Sequence, residues 1–259
     1  MSMNDNNEAK GAQGVPRVMD TLYALTESAG GLSVRTIAEA TGNSRSATHR
    51  ILQSLAECGY AEQGHDGSYA VGRLLIELAA RTFNAVPVLK MADSIMTELV
   101  REVGETCYLA TYWRGEAFTT FIHRVETDNP VRHIQALGAR LPLHAGAVGK
   151  AILSVSDIDL GTLDLAAFTP GTLITKAALG KDLKRIRELG YATSSEERVL
   201  GVAGVAAPVL SGDSVVGGLS VSIPISRVPK DGLDALGKAV SKRAQEFSLA
   251  LTAMGVKHI

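Results

Sequence analysis

The chain has 259 residues, is 46% hydrophobic and carries a formal charge of −1. It therefore has material for one large core or two modest ones, and DNA contact must come from a local patch rather than from wholesale basic charge. No run of about 18 apolar residues is present to span a membrane. The polar opening MSMNDNNEAKGAQG lacks the apolar centre of a signal peptide, and Cys58 and Cys107 have no neighbours at metal-ligand spacing. A cytoplasmic protein without disulfides, metal, cofactor or membrane attachment is expected.

Residues 1–13 read as a disordered tail. Val18, Leu22 and Leu25 recur at helical spacing in a first helix that runs out at ESAGG. Ser33 is a good N-cap for VRTIAEA, with Ile37 and Ala38 facing inward, and Thr41-Gly42 breaks that helix. Another begins near Ser44 in SRSATHRILQSLAEC and is expected to bury Ala47, Ile51, Leu55 and Cys58. YAEQGHDGSYAVG then gives two short strands about the turn pair Asp66-Gly67.

RLLIELAARTF reads as a connecting helix stopped before Pro87, and Val88, Met91, Ile95 and Leu99 mark the next. TCYLATY and AFTTFIHRV are strand-like and flank a turn at Arg114-Gly115-Glu116. An amphipathic helix, LGKDLKRIRELG, precedes the strands GVAAPVL and VVGGLSVSI. In the last helix Leu233, Leu236, Val240, Ala244, Phe247 and Leu251 step by three or four. Strands and helices mixed without strict alternation indicate an α+β class.

HAGAVGKAI, residues 144–152, has the look of a phosphate loop. A Walker A motif fails there, because His144 stands in place of its first glycine and Ala151 in place of its magnesium-binding hydroxyl. Lys150, within the first turn of a helix, opposes the dipole and is expected to pair with an acidic group elsewhere. The spacings of His123, His133 and His144 fit no local metal pair, and no Gly-x-Ser-x-Gly elbow is present. No catalytic residue is assigned. The rival class, a small-molecule hydrolase or transferase with a helical accessory domain, would need a nucleophile–base pair or a metal cluster.

Helix, glycine-containing turn, helix and hairpin is the order of a winged helix-turn-helix, whose second helix enters the major groove. Arg45 and His49 share a face of that helix, with Thr48 beside them and Arg50 further round. No acidic residue lies between Glu39 and Glu57 to repel phosphates. Arg45 is the candidate for a bidentate guanine contact. Ser44, Ser46 and Arg50 are candidates for holding phosphates, and Ser33 completes the DNA-binding set.

GLSVRTIAEATGNSRSATHRILQSLAECGYAEQ and YAVGRLLIEL resemble the DNA-binding half of IclR-type bacterial transcription regulators. LPLHAGAVGKAIL, GYATSSEERVLGVAGVAAPVL and GGLSVSIPISRV are similar to that family's effector-domain signatures, in order. Two positions depart from the pattern: Asn43 stands where relatives usually have an apolar turn residue, and Gly204 stands where the family often has Cys or another side chain.

The resemblance implies an N-terminal winged helix-turn-helix over 14–72, a linker helix over 73–86 and a GAF-like effector-binding domain over 87–259. It implies an effector pocket formed by Ala147, Val148, Ser194, Gly204, Ser220 and Ser222, of which the two strand serines point to one face. The start of the helix after Gly146 would offer backbone N–H groups to an anion. The expected partners are operator DNA, a small organic or aromatic acid, and further copies of the chain as a homodimer or a dimer of dimers. Repression of catabolic genes is the commoner behaviour in the family.

Overall fold

The computed structural model describes residues 14–28 and 30–259, so the tail expected over 1–13 lies outside the described residues. The chain divides into two compact units, one ending at Ala85 and one running from Val86 to Ile259.

In the first unit, helices α1 (Gly14–Leu25), α2 (Val34–Thr41) and α3 (Arg45–Glu57) precede a hairpin of β1 (Ala61–Gln63) and β2 (Tyr69–Val71). Helix α2 begins where Ser33 Oγ accepts the Thr36 N–H at 3.1 Å, and it ends at Gly42, whose φ of 66° favours a residue without Cβ. Two residues on, Ser44 Oγ accepts the Ala47 N–H at 3.3 Å and starts α3. The three helices meet on Leu25, Ile37, Leu52 and Leu55, with Tyr69 from the hairpin. Full burial of each such side chain contributes about 1.5–3 kcal/mol.

The hairpin closes through a longer turn than the Asp66-Gly67 pair alone. Gly64 donates to the Ser68 carbonyl at 2.8 Å, and Asp66 Oδ1 accepts both the N–H and the hydroxyl of Ser68. Leu32 and Tyr69 exchange two backbone bonds of 2.8 Å, an isolated bridge that ties the hairpin to the segment before α2.

Of the expected inward residues of α3, Leu55 is buried, Ile51 packs half-buried against the core, Ala47 is half-buried and Cys58 is exposed; the buried stripe is Thr48, Leu52 and Leu55. Apolar residues stand side by side at Ile51-Leu52, so steps of three or four fit either register, and Cys58 falls on the exposed side. Helix α4 (Arg73–Ala85), where the linker is expected, ends at the boundary between the two units. Pro87 opens the next helix, α5 (Pro87–Val103).

The second unit is a six-stranded antiparallel sheet in the order β5-β4-β3-β8-β7-β6. Its strands are β3 (Thr106–Thr111), β4 (Phe118–Val125), β5 (Arg140–Pro142), β6 (Ala192–Ser195), β7 (Val202–Ser211) and β8 (Ser214–Pro224). Helices α5 and α8 (Asp234–Ala253) cover one face through Met96, Leu99, Phe247 and Leu251. Helices α6 (Ala147–Val155) and α7 (Lys176–Leu189) cover the other through Val148, Ile152 and Leu183. Strand alternation divides β8 between the two. Leu219, Val221 and Ile223 join the α5–α8 core, while Ser220 and Ser222 face the α6 side. β5 and β6 were not anticipated, being three and four residues long and without apolar alternation.

The second unit has two apolar layers of its own, so a chain cut to Val86–Ile259 is expected to unfold in one cooperative transition followed by circular dichroism. A broad, sloping melt would show that its packing depends on the residues before Val86.

Candidate functional site

On α3 the side chains of Arg45, Ser46, His49 and Arg50 are exposed. Among the described residues, those of Arg45, His49 and Arg50 have no hydrogen-bond or ion-pair partner, which leaves their donors to the outside. Ser33 and Ser44 are exposed, each with its oxygen engaged as an N-cap. Thr48 does not belong to this surface. It is fully buried as part of the inward stripe with Leu52 and cannot reach a base edge. Glu39, the nearest acid on α2, is hydrogen-bonded to Arg35 at 2.8 Å, and that bond and charge hold its carboxyl below the ordinary range.

In the second unit the first turn of α6 carries a buried charge network. Lys150, 1% exposed, points its Nζ at Asp182 Oδ2 (2.7 Å), the Thr193 carbonyl (2.9 Å) and Glu197 Oε1 (2.5 Å). This is the acidic pairing expected of Lys150, and three acceptors match the three donors of an ammonium. The other oxygen of Glu197 accepts the Gly146 N–H at 2.9 Å. The protein thus places its own carboxylate against the amide expected to receive a ligand anion. Gly146 is required twice, by its φ of 84° and by the Arg198 side chain, whose Cδ lies 3.0 Å from where a Cβ would stand. Gly149 serves packing, because a Cβ there would come within 2.5 Å of the Pro142 carbonyl.

Asp182 sits between Lys150 and Arg185. Burial alone would raise its carboxyl, but the hydrogen bonds and charges of those two bases outweigh burial and hold it below the ordinary value.

Above this network lies a small cavity of about 40 Å³, lined by Ala147, Val148, Ser194, Gly204, Ser220 and Ser222 together. Ser194, Gly204 and Ser222 are register partners across β6, β7 and β8. A Cβ at Gly204 would lie 3.1 Å from Ser194 Oγ, so the glycine keeps this row open. Ser222 Oγ is buried and has no hydrogen-bond partner among the described residues. Buried hydroxyls are nearly always satisfied, so an orphan on a cavity wall marks a place for a polar ligand atom or water.

His133 and Gln135, from the stretch RHIQALGARLPLHAG whose Arg and His suit an anionic ligand, stand on the same wall, where sequence reasoning missed Arg198. Tyr108 holds their segment down: its hydroxyl donates to the His133 carbonyl and accepts the Gln135 N–H, each at 3.0 Å. The three histidines do not converge. His123 bonds Asp93, His144 bonds the Ala166 carbonyl, and no cluster of three metal-ligating side chains occurs among the described residues.

Residues 80–249 match the bacterial transcriptional regulator IclR C-terminal domain, and residues 14–65 match the IclR helix-turn-helix domain. The chain belongs to the IclR family of bacterial transcriptional regulators. It is 34% identical to the HTH-type transcriptional repressor AllR of Escherichia coli K12, over 96% of this chain and 92% of that one. In fold it is similar to an IclR transcriptional regulator from Alicyclobacillus acidocaldarius, at TM-score 0.82, 24% identity and coverage of 93% and 98%. It is also similar to an IclR homolog from Microbacterium hydrocarbonoxydans complexed with 4-hydroxybenzoate, at TM-score 0.75, 22% identity and coverage of 91% and 99%. These matches agree with a helix-turn-helix unit followed by a GAF-like α+β domain. They make the chain a DNA-binding regulator and set aside the hydrolase or transferase alternative. No helix among the described residues is long and apolar enough to cross a membrane.

Lys150→Met leaves the buried Glu197 without its cation and Asp182 with Arg185 alone, and is expected to cost about 3–5 kcal/mol in urea unfolding. A loss below about 1 kcal/mol would show that the network is not a structural clamp. The lowered Asp182 carboxyl contributes stability above its ordinary titration range, and that stability is lost as pH falls through its depressed folded value. Asp182→Asn should therefore flatten the acid limb of the stability curve. An unchanged limb would contradict the assignment.

Proposed function

We propose that the chain is an effector-responsive repressor of catabolic genes, with α3 as its recognition helix and the α6–β8 cavity as its sensor of a small organic or aromatic acid. The observation that carries the sensor half is the orphaned Ser222 hydroxyl, buried in a cavity lined by all six expected pocket residues. The repressor named AllR and the homolog holding 4-hydroxybenzoate support the class of activity and of ligand.

In this reading Arg45 donates two bonds to a guanine edge, with His49 beside it. Ser33, Ser44, Ser46 and Arg50 take phosphate oxygens and set the register. The domain division follows function: residues 14–72 read DNA, the helix over 73–86 links, and 87–259 sense. A homodimer presents two recognition helices to two half-sites. Val15 and Met19, exposed one turn apart on α1, offer apolar surface for that pairing, and a dimer of dimers follows from the family resemblance. The protein acts in the cytoplasm and uses no cofactor or metal.

Fluorescence anisotropy with DNA from the chain's own upstream region tests both halves. Arg45→Ala should cost roughly 1–3 kcal/mol and relax specificity at one operator position. The double variant Ser220→Val/Ser222→Val should keep wild-type operator affinity and lose its response to a panel of organic and aromatic acids. Wild-type base preference in the first variant would refute the recognition helix. An undiminished acid response in the second would refute the sensor.

A further inference from the structure

One cation on the cavity wall has no anion of its own among the described residues. Arg198 is half-buried, and its side chain makes a single hydrogen bond among the described residues, from Nη2 to Gln135 Oε1 at 3.2 Å. Its neighbours in sequence are committed elsewhere. Glu197 is shared between Lys150 and the Gly146 N–H, and Glu196 Oε1 accepts the Gly201 N–H at 2.6 Å. Within the clamp, Lys150 and Arg185 balance Asp182 and Glu197, so no negative charge remains there for Arg198.

Other shielded arginines of this unit are treated differently. Arg227 grips both oxygens of Glu105 at 2.6 and 2.7 Å, Arg124 bonds Glu126 at 2.9 Å, and Arg243 bonds Glu98 at 2.7 Å. A guanidinium taken partly out of water is stabilised by a carboxylate that accepts its paired N–H groups. No carboxylate among the described residues accepts from Arg198, which leaves a place for an anion from outside.

We infer that Arg198 is the charge anchor of the cavity and makes it selective for a compact carboxylate, the guanidinium holding the acid group while Ser222 and the first amides of α6 take oxygen on the adjoining carbon. This rests on the reading of the cavity as the effector site. The remaining groups are consistent with one anionic end and one neutral polar end. The N–H groups of Ala147 and Val148, in the first turn of α6, have no acceptor among the described residues. Burial, and next the charge of Arg198, lower the His133 imidazole below its ordinary value, so at neutral pH it adds a hydrogen-bonding group and not a second charge. Burial also lowers the Arg198 guanidinium, the cost an incoming anion offsets.

Size follows from the same side chain. A water needs roughly 10–15 Å³ of such space, so a cavity of about 40 Å³ accommodates an acid of a few heavy atoms while Arg198 lies across Gly146. The geometry favours a short 2-hydroxy or 2-oxo acid over an aromatic one.

Calorimetry and thermal melting of the full chain with glycolate and lactate, their neutral counterparts glycolamide and lactamide, and 4-hydroxybenzoate test this directly. Wild type should bind the two hydroxy acids, bind the amides at least about tenfold more weakly, and bind 4-hydroxybenzoate no more tightly than lactate. Arg198→Gln should lose the acid-over-amide preference, Arg198→Lys should retain part of it, and ligand-free Arg198→Gln should melt no lower than wild type because an uncompensated charge is gone. Amides binding as well as acids, no binding of either hydroxy acid, or wild-type acid affinity in Arg198→Gln would overturn the anchor. Tighter binding of 4-hydroxybenzoate would overturn the size limit. If Arg198→Gln keeps acid binding while Ser220→Val/Ser222→Val loses it, the cavity stands and the anchor falls; if neither variant weakens an acid that wild type binds, both fall.

Discussion

Lys150 is an ammonium held in the interior by three acceptors from three places in the chain: α7, β6 and the turn after β6. Taking such a group out of water costs several kcal/mol unless every donor is met at good distance. Meeting that demand fixes the position of Glu197, which also accepts the Gly146 N–H. Helix α6, helix α7 and the turn carrying Glu197 are thereby locked around one point. Everything proposed for the cavity depends on this lock, since residue 198 is placed by residue 197.

The same constraint separates a phosphate-loop look-alike from a ligand site. In HAGAVGKAI the lysine points inward to the clamp, and the first amide of the loop is taken by a protein carboxylate. What remains is the start of α6 at Ala147 and Val148, a pair of serines and one arginine. β8 makes this possible by alternation. Its apolar residues Leu219, Val221 and Ile223 seat the α5–α8 layer, which leaves Ser220 and Ser222 to the other face without loss to the core.

Local chemistry was the most readable part of the sequence. Ser33, Gly42 and Ser44 announce the ends of two helices by capping alone, and the stripe from Leu236 to Leu251 announces the last. The six pocket positions were legible through family resemblance; only the shared face of Ser220 and Ser222 followed from strand geometry. Thr48 was misread because its polarity suits a solvent face, whereas the packing of α3 required that position inside. β5 and β6 carry too few residues to show a period, and their place in the sheet is set by pairing with β4 and β7. Arg198 was invisible for a different reason. A basic residue beside two glutamates reads as paired until tertiary contacts show that both are spoken for.

The most direct test of where the effector acts is hydrogen–deuterium exchange on the full chain with and without saturating lactate. The account predicts slowed exchange at the start of α6, at 194–199 and along β8 near Ser220 and Ser222. A larger cleft of about 790 Å³ lies elsewhere in the same unit, lined by Ser211 to Val216 and Gly255 to His258. Protection confined to that cleft, with 147–149 and 194–199 exchanging as before, would contradict the account.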